Sequence, residues 1–290
     1  MSKIYISSPA RTAGIIEQYQ FRFQKKFGQN FLIDDHIIEK IIDAAEIGPE
    51  DVVVEIGPGI GTLTERLLER AYHVLAVEID TNLIPILEET LSPFSNKTIL
   101  NADVLKVDLR AEVEKIKPGA KIKVVANLPY YITTPIVMEL LEGDVDFSSI
   151  TIMIQKEVAD RMCVGPGTKD YGALSLAVQF YCDPQFVTMV SRHCFMPEPN
   201  VDSAVITLKK HEKKPIEVSD EKFMFRVIRA SFAQRRKTLA NGIGNAADLP
   251  VSKAQAMEVL SSLGMNESIR GETLTLEEFA RLSDALKKLC

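Results

Sequence analysis

The alternation of short apolar runs with amphipathic stretches between residues 51 and 210 is the strongest constraint on the fold. This rhythm is typical of a parallel β-sheet that is covered by helices on both faces. A proline-rich loop, and not a helix, joins the last two apolar runs, so we expect these two strands to pair antiparallel at an edge of the sheet. The predicted strands are 51–56, 73–78, 98–100, 121–126, 149–154, 185–190 and 204–209.

Helical periodicity fills the gaps between these strands and continues after residue 210. The first predicted helix covers 62–70, and Thr62 and Glu65 have the spacing of a capping box at its start. A second predicted helix covers 134–141. Beyond residue 210 no strand candidate occurs, and Gly264 ends the middle one of three further predicted helices, 220–233, 252–263 and 276–289.

These patterns divide the chain into three parts. A polar linker at 211–215 separates the alternating pattern from the purely helical one. The first residues precede the pattern and are a candidate for disorder. We therefore predict an N-terminal extension at 1–20, an α/β domain at 21–210 and a small all-α domain at 211–290.

A glycine-rich loop, Gly57-Pro-Gly-Ile-Gly61, follows the first predicted strand. Glycines let the backbone approach a ligand closely, and a loop between a strand and a helix is typical of nucleotide-type pockets. The G-x-G-x-G spacing, with Glu55 just before it, differs from the G-x-G-x-x-G of dinucleotide enzymes. Taken alone, the loop could equally be a tight turn.

Carboxylates follow the next two predicted strands. Glu78 lies about twenty residues after the loop, where ribose hydroxyls are commonly bound. Asp103 follows the third strand and can accept a hydrogen bond from an adenine amino group. The carboxyl ends of parallel strands meet at one edge of a sheet, so we expect these groups to lie together. Contacts to a methionine portion, a ribose and an adenine suit S-adenosylmethionine better than NAD.

The fourth strand is followed by Asn127-Leu-Pro-Tyr130. The exocyclic amine of adenine is a poor nucleophile because its lone pair is delocalised into the ring. The Asn127 side-chain oxygen and the Leu128 carbonyl can accept hydrogen bonds from this amine and aim its lone pair at a methyl donor. Pro129 stiffens the turn, and the Tyr130 ring can stack on a flipped base. The motif therefore favours amino-group methylation, although by itself it could be an ordinary turn.

The net charge of -6, from 34 basic and 40 acidic residues, argues against a nucleic-acid partner if the chain is taken as a whole. The charge is unevenly distributed, with +4 over residues 1–30, -12 over 31–210 and +2 over 211–290. One basic run contains no acidic residue and suits contacts with RNA phosphates, although such a run is often only a solvated face. Its members are Lys222, Arg226, Arg229, Arg235, Arg236 and Lys237.

Several classes of protein are not expected. Four cysteines and four histidines show no metal-ligand spacing, so we expect no metal site. No apolar run approaches the roughly 18 residues of a membrane helix, and the first residues lack the apolar segment of a signal peptide. We therefore expect a cytoplasmic protein with no membrane partner.

Five motifs together point to one family. From about residue 20 to its end, the chain closely resembles the KsgA-type small-subunit ribosomal RNA adenine dimethyltransferases of bacteria. The resemblance implies a Rossmann-like, class I S-adenosylmethionine-dependent methyltransferase sheet followed by a small helical domain. The motifs are QNFL at 29–32, EIGPGIGTLT at 55–64, NLPY at 127–130, FMPEPNVDS at 195–203 and FAQRRKTL at 232–239.

The resemblance also implies roles for individual residues. The target adenine is expected between Tyr130 and Phe195, although an aromatic residue between prolines also suits core packing. Two uses are likewise open for the aromatic residues at 21, 23 and 27, packing of the segment or approach of RNA. The expected product is S-adenosylhomocysteine. The residues expected to bind S-adenosylmethionine are Asn30, Leu32, Gly57, Glu78, Asp103 and Asn127.

The implied reaction is N6,N6-dimethylation of two adjacent adenosines in the loop of the 3′-terminal helix of small-subunit (16S) rRNA. The implied partner is this rRNA within an immature 30S subunit, and we expect a monomer. One alternative is a large-subunit rRNA adenine methylase of the antibiotic-resistance type, which resembles the same N-terminal domain. Another is a ribosome-assembly factor that acts mainly by binding.

Overall fold

The structure is a computed structural model that describes residues 4–143, 145–234 and 236–290, with only the backbone described at position 25. The chain forms two compact units. The first consists of Met1–Ala159 and Pro184–Lys210, and the second of Asp160–Asp183 and His211–Cys290. One division between these units falls at residue 210, and the second unit includes Asp160–Asp183 from within the predicted 21–210 domain.

A seven-stranded mixed sheet forms the first unit, and each of the seven predicted strands is present in it. Valine-rich and isoleucine-rich strands such as Val52–Ile56 are buried over their whole length because helices cover both faces of the sheet. The strands of this sheet are β2 (Val52–Ile56), β3 (His73–Glu78), β4 (Lys97–Asn101), β5 (Ile122–Asn127), β6 (Phe147–Gln155), β7 (Cys182–Val190) and β9 (Ser203–Lys210), and a separate two-stranded sheet contains β1 (Phe31–Leu32) and β8 (Phe195–Met196).

The strand order of the large sheet is β4-β3-β2-β5-β6-β9-β7. Strands β2 to β6 pair in parallel, and β9 pairs antiparallel with β6. The predicted α/β fold with an antiparallel edge is therefore confirmed. Its register brings Glu78 opposite Asn101 and Asn127 opposite Met153. The ends of four parallel strands thus lie along one edge of the sheet.

The helices of the first unit follow the strands as the periodicity predicts. The predicted helix at 134–141 is observed with one more residue at each end. These helices are α1 (Pro9–Gln18), α2 (Asp35–Ala45), α3 (Thr64–Leu68), α4 (Ile84–Thr90), α5 (Leu109–Ile116) and α6 (Thr133–Glu142), and α7 (Lys156–Cys163) extends into the second unit.

The expected capping box at the start of α3 is wrong. The helix begins at Thr64, and the residue before it makes no side-chain capping hydrogen bond. Glu65 is buried, and its Oε2 accepts a hydrogen bond from the backbone N–H of Ile6 at 2.8 Å. The carboxylate therefore binds the N-terminal extension, which no local pattern around Thr62 could indicate.

The candidate disorder of the N-terminal extension does not hold for its described residues. Ser8 caps α1 by accepting a hydrogen bond from the N–H of Arg11, and a proline occupies the first position of the helix. Ile6 and Ile15 are buried in the main hydrophobic core. The segment is ordered because it contributes apolar side chains to that core.

Apart from the first two residues of β7, the described regular structure of the second unit is helical, and all three helices predicted after residue 210 are present. Phe180 and Tyr181 contact Phe225 at ring-centroid distances of 5.4 and 5.6 Å, which explains why Asp160–Asp183 belongs to this unit. No helix in the described ranges combines the length and apolar composition needed to cross a membrane. The helices are α8 (Ala173–Tyr181), α9 (Glu221–Phe232), α10 (Leu239–Gly244), α11 (Lys253–Ser262) and α12 (Leu276–Lys287).

Candidate active site

One pocket lies at the carboxyl ends of β2, β3, β4 and β5. Residues of all four strand ends line it, together with the segment around β1. The sequence-predicted cofactor residues are therefore brought together, although they are separated by up to 97 positions along the chain. The pocket lining includes all six of them, Asn30, Leu32, Gly57, Glu78, Asp103 and Asn127.

The glycine loop passes close to the pocket in a left-handed backbone conformation. Gly57 and Gly59 have φ angles of +70° and +62°. Residues that carry a side chain rarely adopt such positive φ angles. A Cβ atom on Gly59 would lie 3.0 Å from the ring of Phe31, so this position also has no room for a side chain. The loop thus needs its glycines both for its backbone conformation and for its close packing.

Glu78 links the glycine loop to the end of β3. Its Oε2 accepts a hydrogen bond from the Gly59 N–H at 3.2 Å, and its Oε1 accepts one from the Asp80 N–H at 2.8 Å. Burial raises the pKa of Glu78 to about 7, and the hydrogen bonds from the backbone oppose this rise. Asp80 is in turn held by the side-chain amides of Gln24 and Gln29. The carboxylate is therefore fixed in the pocket wall.

Glu55 is a second buried carboxylate in the pocket lining, and it is only 2% exposed. Its Oε2 has no hydrogen-bond partner among the described residues. Burial raises the pKa of Glu55 to about 8, the nearby Glu78 charge adds to this rise, and the Thr64 side chain opposes it. A buried carboxyl oxygen without a partner fits a ligand that brings a cationic group, as the amino acid portion of S-adenosylmethionine does.

Asp103 remains partly open at the end of β4. Its Oδ1 accepts a hydrogen bond from the Leu105 N–H at 3.1 Å, and Lys106 Nζ lies 3.7 Å from its Oδ2. Its side chain is 30% exposed. The arrangement therefore leaves the carboxylate accessible to an amino group of a ligand.

The Asn127 turn is held in place by three hydrogen bonds. Asn127 Nδ2 donates to the Asn30 carbonyl at 3.0 Å, so the remaining polar atom of this amide is Oδ1, an acceptor. The Leu128 N–H donates to the Met153 carbonyl at 3.1 Å. The Tyr130 hydroxyl pairs with Ser203 Oγ at 2.6 Å. This last bond joins the NLPY and FMPEPNVDS motifs, a link that the sequence did not indicate.

Phe195 is not in the pocket. It is 4% exposed, its backbone pairs with Leu32 between β8 and β1, and its ring belongs to the main hydrophobic core. Core packing, one of the two uses considered for this residue, is therefore observed, and its stacking on a substrate base stays a prediction. The aromatic residues that line the pocket are Phe27, Phe31, Tyr130 and Tyr131.

The aromatic residues of the lead-in segment are also packed together. The rings of Phe21 and Phe23 lie 5.5 Å apart, and each contacts the ring of Phe31, at 5.8 and 5.3 Å. Edge-to-face and tilted pairs of this kind stabilise a packed segment. For these two residues, packing is the observed use.

The basic run lies on and after α9 in the second unit. Lys222, Arg226 and Arg229 are spaced i, i+4 and i+7 and so share one helix face. Lys222 and Arg229 are exposed, whereas Arg226 donates to the Asp248 carbonyl at 3.0 Å and lies over the ring of Phe223. Arg226 is therefore partly a structural residue. Beyond α9, Arg236 and Lys237 are exposed, and Arg235 lies outside the described residues.

Possible metal ligands do not cluster in the described ranges. No group of three or more His, Cys, Asp or Glu side chains there could hold a metal ion. The cysteines at positions 163, 182, 194 and 290 form no disulfide bond.

Comparison with known proteins gives matches over nearly the whole chain. The family model described as "Ribosomal RNA adenine dimethylase" matches residues 20–288. Ribosomal RNA small subunit methyltransferase A of Lachnoclostridium phytofermentans is 58% identical over 97% of this chain and 98% of its own length. The protein of the same name from Bacillus cytotoxicus is 52% identical over 97% of each chain.

Two solved structures resemble the whole fold. A dimethyladenosine transferase from Plasmodium falciparum superposes with a TM-score of 0.72 and 28% identity, covering 87% of this chain and 95% of that one. The 23S rRNA methyltransferase ErmE superposes with a TM-score of 0.64 and 28% identity, covering 89% of this chain and 100% of that one.

Proposed function

The chain belongs to the ribosomal RNA adenine dimethylase family, and from this premise we propose that it dimethylates N6 of two adjacent adenosines in the loop of the 3′-terminal helix of 16S rRNA. The methyl donor is S-adenosylmethionine, the product is S-adenosylhomocysteine, and the substrate is the rRNA of an immature 30S subunit. Support for a small-subunit substrate comes from relatives that share 52–58% of their residues with this chain, against 28% for the 23S rRNA enzyme.

The observation that carries the proposal is the Asn127 turn beside the pocket of strand-end carboxylates. Asn127 Nδ2 is committed to the Asn30 carbonyl, so the amide can offer Oδ1 to the N6 amine of an adenine. The Leu128 carbonyl is the second acceptor on the same turn. Two acceptors at one amine localise its lone pair and orient it for attack on a methyl group.

S-adenosylmethionine supplies an activated methyl group on a sulfonium sulfur. Glu78 would accept hydrogen bonds from its ribose hydroxyls, Asp103 would accept one from its adenine amine, and Glu55 would pair with its ammonium group. Asn30, Leu32 and Gly57 complete the pocket walls. The methylated amine becomes cationic and releases a proton readily, so the site needs no strong base.

Contacts with the RNA outside the pocket are assigned to the basic residues of the second unit. Lys222, Arg229, Arg236 and Lys237 are exposed and can approach phosphates. Duplex RNA offers few readable base edges to side chains, so these residues are expected to recognise phosphates and shape. The acidic average of the chain does not oppose this function because the negative charge belongs to the first unit.

Mapping dimethyladenosine in a deletion strain tests the proposal. The strain should lose two adjacent dimethyladenosines of 16S rRNA and none of 23S rRNA, and wild-type protein should restore them. Asn127→Ala should restore less than about 1% of the modification, because one preorganised hydrogen bond is worth about 10²–10³ in rate. Asn245→Ala, an exposed asparagine of the second unit, is the matched control and should restore full modification. A loss confined to 23S rRNA would contradict the proposal.

A further inference from the structure

Burial of Phe195 leaves the pocket without its expected second stacking ring, and Tyr131 is the aromatic residue that is open at its rim. Tyr131 follows Tyr130 in the turn before α6 and lines the pocket. It is 55% exposed, whereas Phe31 in the same lining is 5% exposed. A large ring so exposed at the mouth of a pocket can be reached by a substrate from solvent.

The Tyr131 ring packs against Gly28. A Cβ atom on Gly28 would lie 3.5 Å from Tyr131 Cδ1, so the ring lies against the backbone of that glycine. Within the described part of the chain, the ring stacks on no other ring and its hydroxyl has no hydrogen-bond partner. Asp103 and Glu78 lie near enough to raise the pKa of Tyr131, after the larger effect of burial. The ring is thus positioned in the pocket lining and is more than half exposed.

Two exposed lysines lie near, along the chain, to residues that line the same pocket. Lys26 is two residues from Gly28 and is exposed, with its Nζ 4.4 Å from the ring centroid of Phe27. Lys106 is three residues from Asp103 and its side chain is 82% exposed. Aromatic rings interspersed with cations are the usual surface for unpaired nucleic acid, because bases stack on the rings while the cations attract phosphates.

We propose that Tyr131 is a substrate-contacting residue on which an unpaired base of the RNA stacks, the base next to the adenosine held by the Asn127 turn. This inference rests on the proposed function. It assigns the RNA-facing aromatic role to a residue of the NLPY turn region, whereas Phe195 stays in the core. Lys26 and Lys106 then contact the phosphates on either side of the stacked base.

Binding of full-length protein to a hairpin RNA with the 16S 3′-terminal loop tests this role, with 2-aminopurine beside one acceptor adenosine. Wild-type protein should quench the fluorescence of this base. Tyr131→Ala should weaken RNA binding about tenfold and lose the quenching, while the Kd for S-adenosylmethionine stays within twofold. Tyr131→Phe should keep both RNA properties because stacking needs the ring and not the hydroxyl.

Tyr72→Ala is the matched control. Tyr72 is 46% exposed and lies just before the amino end of β3, whereas the pocket lies at the carboxyl ends of the strands. Its loss should therefore leave RNA binding unchanged. The salt dependence of RNA binding should be the same in Tyr131→Ala as in wild type, because stacking releases no counterions.

Two results would overturn the inference. Tyr131→Ala could bind RNA within twofold of wild type, or its affinity for S-adenosylmethionine could fall as much as its affinity for RNA, which would make the ring a cover for the cofactor. If wild-type protein binds the RNA through Tyr131 but methylates no rRNA, the stacking role stands and the proposed function fails.

Discussion

The burial of Glu55 predicts how the free energy of unfolding changes with pH. The folded protein raises the pKa of Glu55 from 4.5 to about 8, so between these values the unfolded chain releases a proton that the folded chain keeps. The free energy of unfolding therefore falls as pH rises, by about 1.4 kcal/mol per pH unit for this group. Relative to low pH, where Glu55 is protonated in both states, its titration lowers the free energy of unfolding by less than about 1 kcal/mol at pH 5. At pH 7.5 the reduction reaches about 4 kcal/mol.

Glu55→Gln keeps the shape of the protonated side chain and removes its titration. The variant should match wild type at pH 5 and be more stable by about 4 kcal/mol at pH 7.5 in the absence of cofactor. Urea unfolding followed by circular dichroism at both pH values measures the difference. S-adenosylmethionine should reduce it, because an ammonium group would pair with ionised Glu55.

Glu88→Gln is the control for this experiment. Glu88 is exposed, and its substitution should change the free energy of unfolding equally at both pH values. If Glu55→Gln also gave a difference independent of pH, or if it lowered stability at pH 7.5, Glu55 would be ionised in the folded protein and the reasoning would be refuted.

Three further predictions concern the pocket and the basic helix. The affinity for S-adenosylmethionine, measured by calorimetry, should rise between pH 6 and 8 as Glu78 loses its proton near pH 7, and Glu78→Gln should weaken this dependence and leave the part that arises from Glu55. Gly59→Ala should lower the free energy of unfolding by about 1–3 kcal/mol, because it combines a positive φ with a Cβ 3.0 Å from Phe31. Thermal melts measure this, and an unchanged melting temperature would mean that the loop relaxes around the added methyl group. Lys222→Ala should lower the slope of log K against log salt for RNA binding by about 0.7–0.9, whereas Lys253→Ala, at the start of α11 in the same unit, should leave it unchanged.

The sheet and the pocket could be predicted because they depend on repeated local signals. Buried parallel strands require continuous apolar runs, and these runs predict the strand positions to within a few residues. The register of parallel strands then places the residues after each strand at one edge. Glu78, Asp103 and Asn127 meet there for this reason, although the sequence separates them widely.

The parts that could not be predicted depend on contacts between distant segments. Phe195 is buried because β8 pairs with β1, about 160 residues away, and a two-residue pairing leaves no periodic signal. Glu65 has the spacing of a capping residue, yet its carboxylate binds the backbone of Ile6. The unpaired state of Glu55 likewise becomes visible only when its surroundings are known.

The central claim is that the Asn127 turn and the adjoining pocket methylate adenosines of small-subunit rRNA. Methyl transfer from S-adenosylmethionine by purified protein to immature 30S subunits and to 50S subunits, with the modified bases identified by mass spectrometry, tests it most directly. The account predicts two adjacent N6,N6-dimethyladenosines in the 3′-terminal helix of 16S rRNA and no modification of 50S subunits. Methylation of 23S rRNA, or binding of S-adenosylmethionine with no transfer to either subunit, would contradict it.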